Sequence, residues 1–140
     1  MQISKEETLK RANAFMKNTL METLDIEMVD LGADFVVARM PVTTKVHQPD
    51  GVLHGGASVA LAETAGSFAA ILLLKQEDVF VRGIEISANH VKSVSSGFVY
   101  ATAKLIHKGR TTQLFEIKIT DDAKNLISHC KLTTISLPKK

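Results

Sequence analysis

At 140 residues, 45% of them hydrophobic and 23% charged, the chain has the size and balance of one globular domain with a sizeable core. A net charge of +2 supplies no basic surface of the kind that grips nucleic acid. A lone cysteine, Cys130, excludes an internal disulfide, and residues 1–7 lack the basic and apolar regions of a secretion signal, so a cytoplasmic protein without a nucleic-acid partner is expected.

Ser4 and Glu7 form an S-x-x-E capping box, which predicts a short N-terminal helix over about residues 5–20 with Leu9, Ala12, Met16 and Leu20 on one face. Residues 25–30 and 35–42 read as strands around the turn Leu31-Gly32-Ala33-Asp34. Pro49-Asp50-Gly51 supplies turn chemistry in a loop over residues 47–51. Residues 55–74 form a long helix that carries one charge and is about long enough to span a bilayer. Glu63 near its start, with Ser58, Thr64, Gly66 and Ser67, instead predicts a central helix buried inside the domain, and no membrane partner. Phe15, Phe68 and Leu72 are expected in the core. Strands follow over residues 80–94, 98–107, 112–120 and 126–137. In the third of these, Phe115, Ile117 and Ile119 alternate with Glu116, Lys118 and Thr120. The order predicts a single α+β domain over residues 1–140. Its last three or four strands form an antiparallel meander, and a curved sheet plus a partner subunit cover the long helix.

The stretch Gly51-Val-Leu-His54-Gly55-Gly56 through Glu63 is where chemistry is expected. A glycine pair at a helix start frees backbone N–H groups for close approach, and a carboxylate in an apolar run is costly to bury unless it is paired or used.

His47-Gln48-Pro49, then Gly51 to Gly56, then Glu63 and Ser67, resemble the hotdog-fold acyl-CoA thioesterases. The resemblance is to the branch holding the phenylacetate-pathway, dihydroxynaphthoyl-CoA and enterobactin-proofreading thioesterases. Glu85-Ile-Ser-Ala-Asn-His90-Val-Lys92 is similar to that branch's strand after the helix. The resemblance implies a hotdog fold, a curved antiparallel sheet wrapped around one long central helix. It also implies a homodimer, often paired into a tetramer, with active sites at the subunit interface and no metal or redox cofactor.

On that basis Gly55 N–H and the helix dipole would polarise the thioester carbonyl of an acyl-CoA. Gln48 would orient the carbonyl or a water. Glu63 would act as general base or as nucleophile, and Ser67, four residues on, would hold the carboxylate or the water. His54 would touch substrate or cap the helix. His90, Lys92, Lys108, Gly109, Arg110 and Thr111 are the candidates for coenzyme A, and Phe68 for lining an aromatic or medium-chain acyl group. Nine helical steps put His54 and Glu63 on opposite faces about 13 Å apart, which favours a site drawing on two antiparallel copies of the helix. A non-catalytic acyl-CoA sensor and a hotdog hydratase or dehydratase are the alternatives.

Overall fold

A computed structural model describes residues 3–75 and 78–139. Helix α1 (Lys5–Phe15) is capped by Ser4, whose side chain accepts from Glu7 N–H, and buries Ala12. It stops five residues before the expected end: Asn18 takes a left-handed φ of 62°, and the chain resumes only as the turn of helix α2 (Leu20–Thr23). Leu20 therefore leaves the apolar face, and Phe15 is 82% exposed rather than in the core.

Strands β1 (Glu27–Leu31) and β2 (Phe35–Pro41) form a hairpin, a short 3-10 turn covers Thr44–Val46, and helix α3 spans Gly55–Leu74. Four strands follow: β3 (Val79–His90), β4 (Phe98–Lys108), β5 (Thr112–Asp121) and β6 (Leu126–Pro138). They join β1 and β2 in one antiparallel sheet of order β1-β2-β4-β5-β6-β3. Irregularities in four of its ladders, at 28/30, 83/85, 105/107 and 119/120, add twist, which curls a sheet.

The expected meander holds only for β4, β5 and β6. Strand β3 pairs with β6 at the sheet edge, so residues 91–97 must carry the chain across to β4. Backbone bonds pin that crossing: Val91 N–H donates to Ile127 O at 2.8 Å, Leu53 N–H to Val94 O at 2.8 Å, and Val42 N–H to Gly97 O at 2.8 Å. Sequential neighbours pair by default, but here the helix between β2 and β3 and the crossing after β3 supply room for another order.

Helix α3 packs against β2, β3, β4, β5 and β6. Its Leu61, Ala62, Ala65, Phe68 and Ala69 meet Val36, Ala101, Phe115, Ile117 and Leu132 in one core. Gly66 marks the closest approach, since a methyl there would run into Leu132 and lie 3.0 Å from Ile117 Cδ1. The helix is long and apolar enough to cross a membrane by length and composition, yet here it is the core helix of the sheet.

Candidate functional site

The crossing loop, the turn before α3 and the end of β3 converge on the N-terminus of α3. They enclose a cleft of about 310 Å³ whose lining includes Gln48, Gly55, Ser58, His90 and Lys92. Each N–H of the helix's first turn can be accounted for. His54 is the N-cap, and its Nδ1 accepts from Gly56 N–H at 2.7 Å. Its carbonyl accepts from Ala57 and Ser58 at 3.0 and 3.2 Å. Gly55 N–H finds no acceptor among the described residues, which leaves one donor at the positive end of a 20-residue helix. Because a backbone N–H always donates, a neutral His54 ring carries its hydrogen on Nε2.

Gln48 is anchored by its own turn: its Nε2 donates to Asp50 Oδ1 at 2.9 Å, and its backbone bonds to Val52 O. His90 belongs to this cleft. A methyl group on Gly55 would lie 2.8 Å from His90 Nε2, while His90 Nδ1 is 2.9 Å from Ser128 Oγ. Cys130, two residues along β6, lies 3.5 Å from the same hydroxyl; burial pushes its thiol above its ordinary range, against a smaller opposing pull from Ser128.

Glu63 stands about two turns further on, roughly 12 Å along the axis from Gly55. It is half-buried against the edge strand, where a methyl at Gly83 would sit 2.5 Å from its Oε2. No ion pair or hydrogen bond engages its carboxylate among the described residues, and none joins it to half-buried Ser67. Phe68 is packed in the core. One chain therefore holds a donor cleft and a free carboxylate, but apart.

The structure divides the set expected to meet coenzyme A. His90 and Lys92 line the cleft, whereas Lys108, Gly109, Arg110 and Thr111 form the β4–β5 turn. Strand β4 begins beside the cleft and runs about 33 Å to that turn. Sequence spacing could not reveal this, because both groups sit at strand ends and only the sheet order says which end. A second hollow of about 430 Å³ adjoins the cleft, with Asp121 and Asp122 on its wall, a surface that repels phosphate.

Two buried serines were missed. Ser58 lies three residues after Gly55, a spacing that could have placed it on the cleft face. Ser128 meets His90 only through the β3–β6 register. Among the described residues no three His, Cys, Asp or Glu side chains gather as a metal site.

Residues 50–128 match the family model of the thioesterase superfamily. The chain belongs to that superfamily. It is 48% identical over 123 residues to the 1,4-dihydroxy-2-naphthoyl-CoA hydrolase of Listeria monocytogenes, covering 86% of this chain and 97% of that protein. The crystal structure of thioesterase HI1161 from Haemophilus influenzae superposes with a TM-score of 0.91 at 39% identity, covering 99% of this chain and 93% of that one. Thioesterase SAV0944 from Staphylococcus aureus superposes at 0.82 with 41% identity, over 85% and 98% of the two chains, in a variant with a glutamine changed to alanine. A second structure of SAV0944 changes a glutamate to alanine. The protein is thus a thioester hydrolase with a hotdog fold.

Proposed function

We propose that this thioesterase hydrolyses an aromatic or medium-chain acyl-CoA at a site shared by two copies of the chain. The observation that carries the reading is the unpaired Gly55 N–H facing a cleft at the start of α3. A thioester oxygen placed there meets a fixed donor and the helix dipole, both of which strengthen as negative charge grows on that oxygen. Gln48 and His90 flank the position. The attacking side comes from Glu63, by removing a proton from water or by adding to the carbonyl carbon as a mixed anhydride. Either route breaks the C–S bond and releases a carboxylic acid and the coenzyme A thiol. No metal or cofactor enters the reaction.

Two further observations support the reading. Glu63 lies against β3, whose outer edge pairs with no described strand and whose Ile84 and Phe80 are exposed. A long apolar edge of this kind invites a second strand. A second copy adding antiparallel there would set two α3 helices side by side, head to tail, and bring one chain's Glu63 toward the other's Gly55. The two substituted positions of SAV0944 are fifteen residues apart, the separation of Gln48 and Glu63 here.

The test is thiol release from a panel of aromatic and aliphatic acyl-CoA esters by wild type and Glu63→Ala. Rapid release that falls by about two orders of magnitude or more in the variant supports the reading. Equal rates in the two proteins would remove Glu63 from the chemical step. Mixed dimers of Glu63→Ala and Gly55→Val chains should regain one working site of two; no recovery would count against sharing.

A further inference from the structure

Two histidines flank the N-terminus of α3, each engaged through Nδ1 by a hydrogen bond. His54 is fixed by Gly56 N–H with its hydrogen on Nε2. His90 is governed by Ser128, which is fully buried on β6, directly across the ladder from it. Three groups surround Ser128 Oγ: Asn89 O at 3.3 Å, His90 Nδ1 at 2.9 Å and Cys130 Sγ at 3.5 Å. A hydroxyl has one hydrogen to give and two lone pairs to offer. Asn89 O can only accept, so the hydroxyl hydrogen goes to it. The lone pairs then accept from the other two neighbours, from His90 Nδ1–H and from the Cys130 thiol. The opposite assignment, with Ser128 donating to Nδ1, leaves two oxygens facing each other at 3.3 Å with no hydrogen between them.

We infer that Ser128 is a positioning residue that holds neutral His90 as the Nδ1–H tautomer and presents Nε2 to the cleft, beside Gly55, as a bare acceptor. A ligand in the cleft meets an N–H donor at Gly55 and an N acceptor at His90 side by side. That pair fits a group carrying its own donor next to a carbonyl, such as a secondary amide N–H of a pantetheine arm or a hydroxyl on the acyl group. This last step rests on the thioesterase reading; the tautomer does not.

The experiment is two-bond ¹H–¹⁵N correlation spectroscopy of the full-length protein with ¹⁵N-labelled histidine, without substrate, at about pH 8.5, where an ordinary imidazole is neutral. Loss of one signal set in His90→Asn assigns His90, and His54 serves as the internal reference of opposite tautomer. The expected spectrum gives His90 a protonated Nδ1 and an unprotonated Nε2. Ser128→Ala should invert that pattern and raise KM for acyl-CoA esters about tenfold while kcat changes little, as for binding lost equally from the ground and transition states. Cys130→Ala keeps the Asn89 bond, so His90 should keep its tautomer even if Ser128→Ala fails to fold. A wild-type His90 with hydrogen on Nε2, an unchanged pattern in Ser128→Ala, or an inverted one in Cys130→Ala would each overturn the inference. The expected spectrum in a protein that cleaves no thioester would uphold it and defeat the functional reading alone.

Discussion

The cleft at the start of α3 and the buried ladder between β5 and β6 hold polar groups in opposite ways. At the helix N-terminus the polar groups face an open cleft, and Gly55 N–H, unmet among the described residues, can be met by a ligand. In the ladder the polar groups are sealed in. There Gln113, only 1% exposed, accepts from Thr134 Oγ1 at 2.7 Å while its Nε2 has no partner among the described residues. An unmet donor beside an opening is capacity for binding; an unmet donor inside a closed core is a cost.

The sharpest way to break this comparison is at the residue that belongs to neither region. Glu63→Gln keeps the shape of the side chain and removes its charge and basicity. Because no described residue bonds to the carboxylate, the fold should not notice: an unchanged melting temperature is expected beside a fall in kcat of at least about a hundredfold. Calorimetry and thiol release on one preparation would check both. Next comes Gly55→Ala. The added methyl meets His90 Nε2 at 2.8 Å, so the ring must move and the space above the free N–H fills. A loss in kcat/KM of about ten- to a hundredfold is expected, on the scale of disturbing one oxyanion donor. A smaller loss would mean that substrate does not approach that N–H.

The elements of this fold were largely legible because their signals are local. The capping box at Ser4 and Glu7, the long apolar run of α3 and the alternation of Phe115, Ile117 and Ile119 each fix a period that tertiary contacts then keep. The end of α1 was missed because a single left-handed residue, Asn18, leaves no mark in the apolar spacing. The position of β3 was missed for a different reason. Strand order is a property of pairing, and nothing in residues 79–90 says that their partner is β6. The same blindness grouped His90 with Arg110, which sits at the far end of the sheet. The cleft's backbone parts, His54 and Gly55, were visible as a glycine-marked helix start. Ser128 depended on a cross-strand register and left no trace.

The closed ladder offers a smaller test with the opposite sign. Replacing Gln113 by Leu and Thr134 by Val together removes both halves of the buried bond and the orphan amide. Paired apolar replacement of that kind is neutral to stabilising, so a rise in melting temperature of about 2–4 °C is expected. Hydrolysis should stay within about twofold, since neither residue lines the cleft. If activity collapsed instead, the ladder would be coupled to the site, and the contrast between an open, working cleft and a closed, structural ladder would fail.

The smallest expected effect lies outside both regions, on the outer face of the sheet. There Glu116 Oε2 lies 2.9 Å from His129 Nε2, on neighbouring strands. The His129 hydrogen bond, with added attraction from Lys118 and Lys104, holds the Glu116 carboxyl below the usual carboxylate range, against a smaller desolvation effect. A carboxylate whose folded value is depressed stabilises the fold above its unfolded value, about 4.3 for glutamate, and that stabilisation fades as pH falls through the folded value. Glu116→Gln should therefore melt about 1–3 °C below wild type near pH 6, the modest scale of an exposed pair. The gap should begin to shrink below about pH 4 and close once pH falls past the lower folded value, where wild type carries a neutral side chain as well. Melting curves of the two proteins across that range decide it: a gap that stays constant would mean the pair contributes through packing rather than charge. Activity should not change at any pH where both remain folded, because this pair touches neither the cleft at Gly55 nor the carboxylate of Glu63.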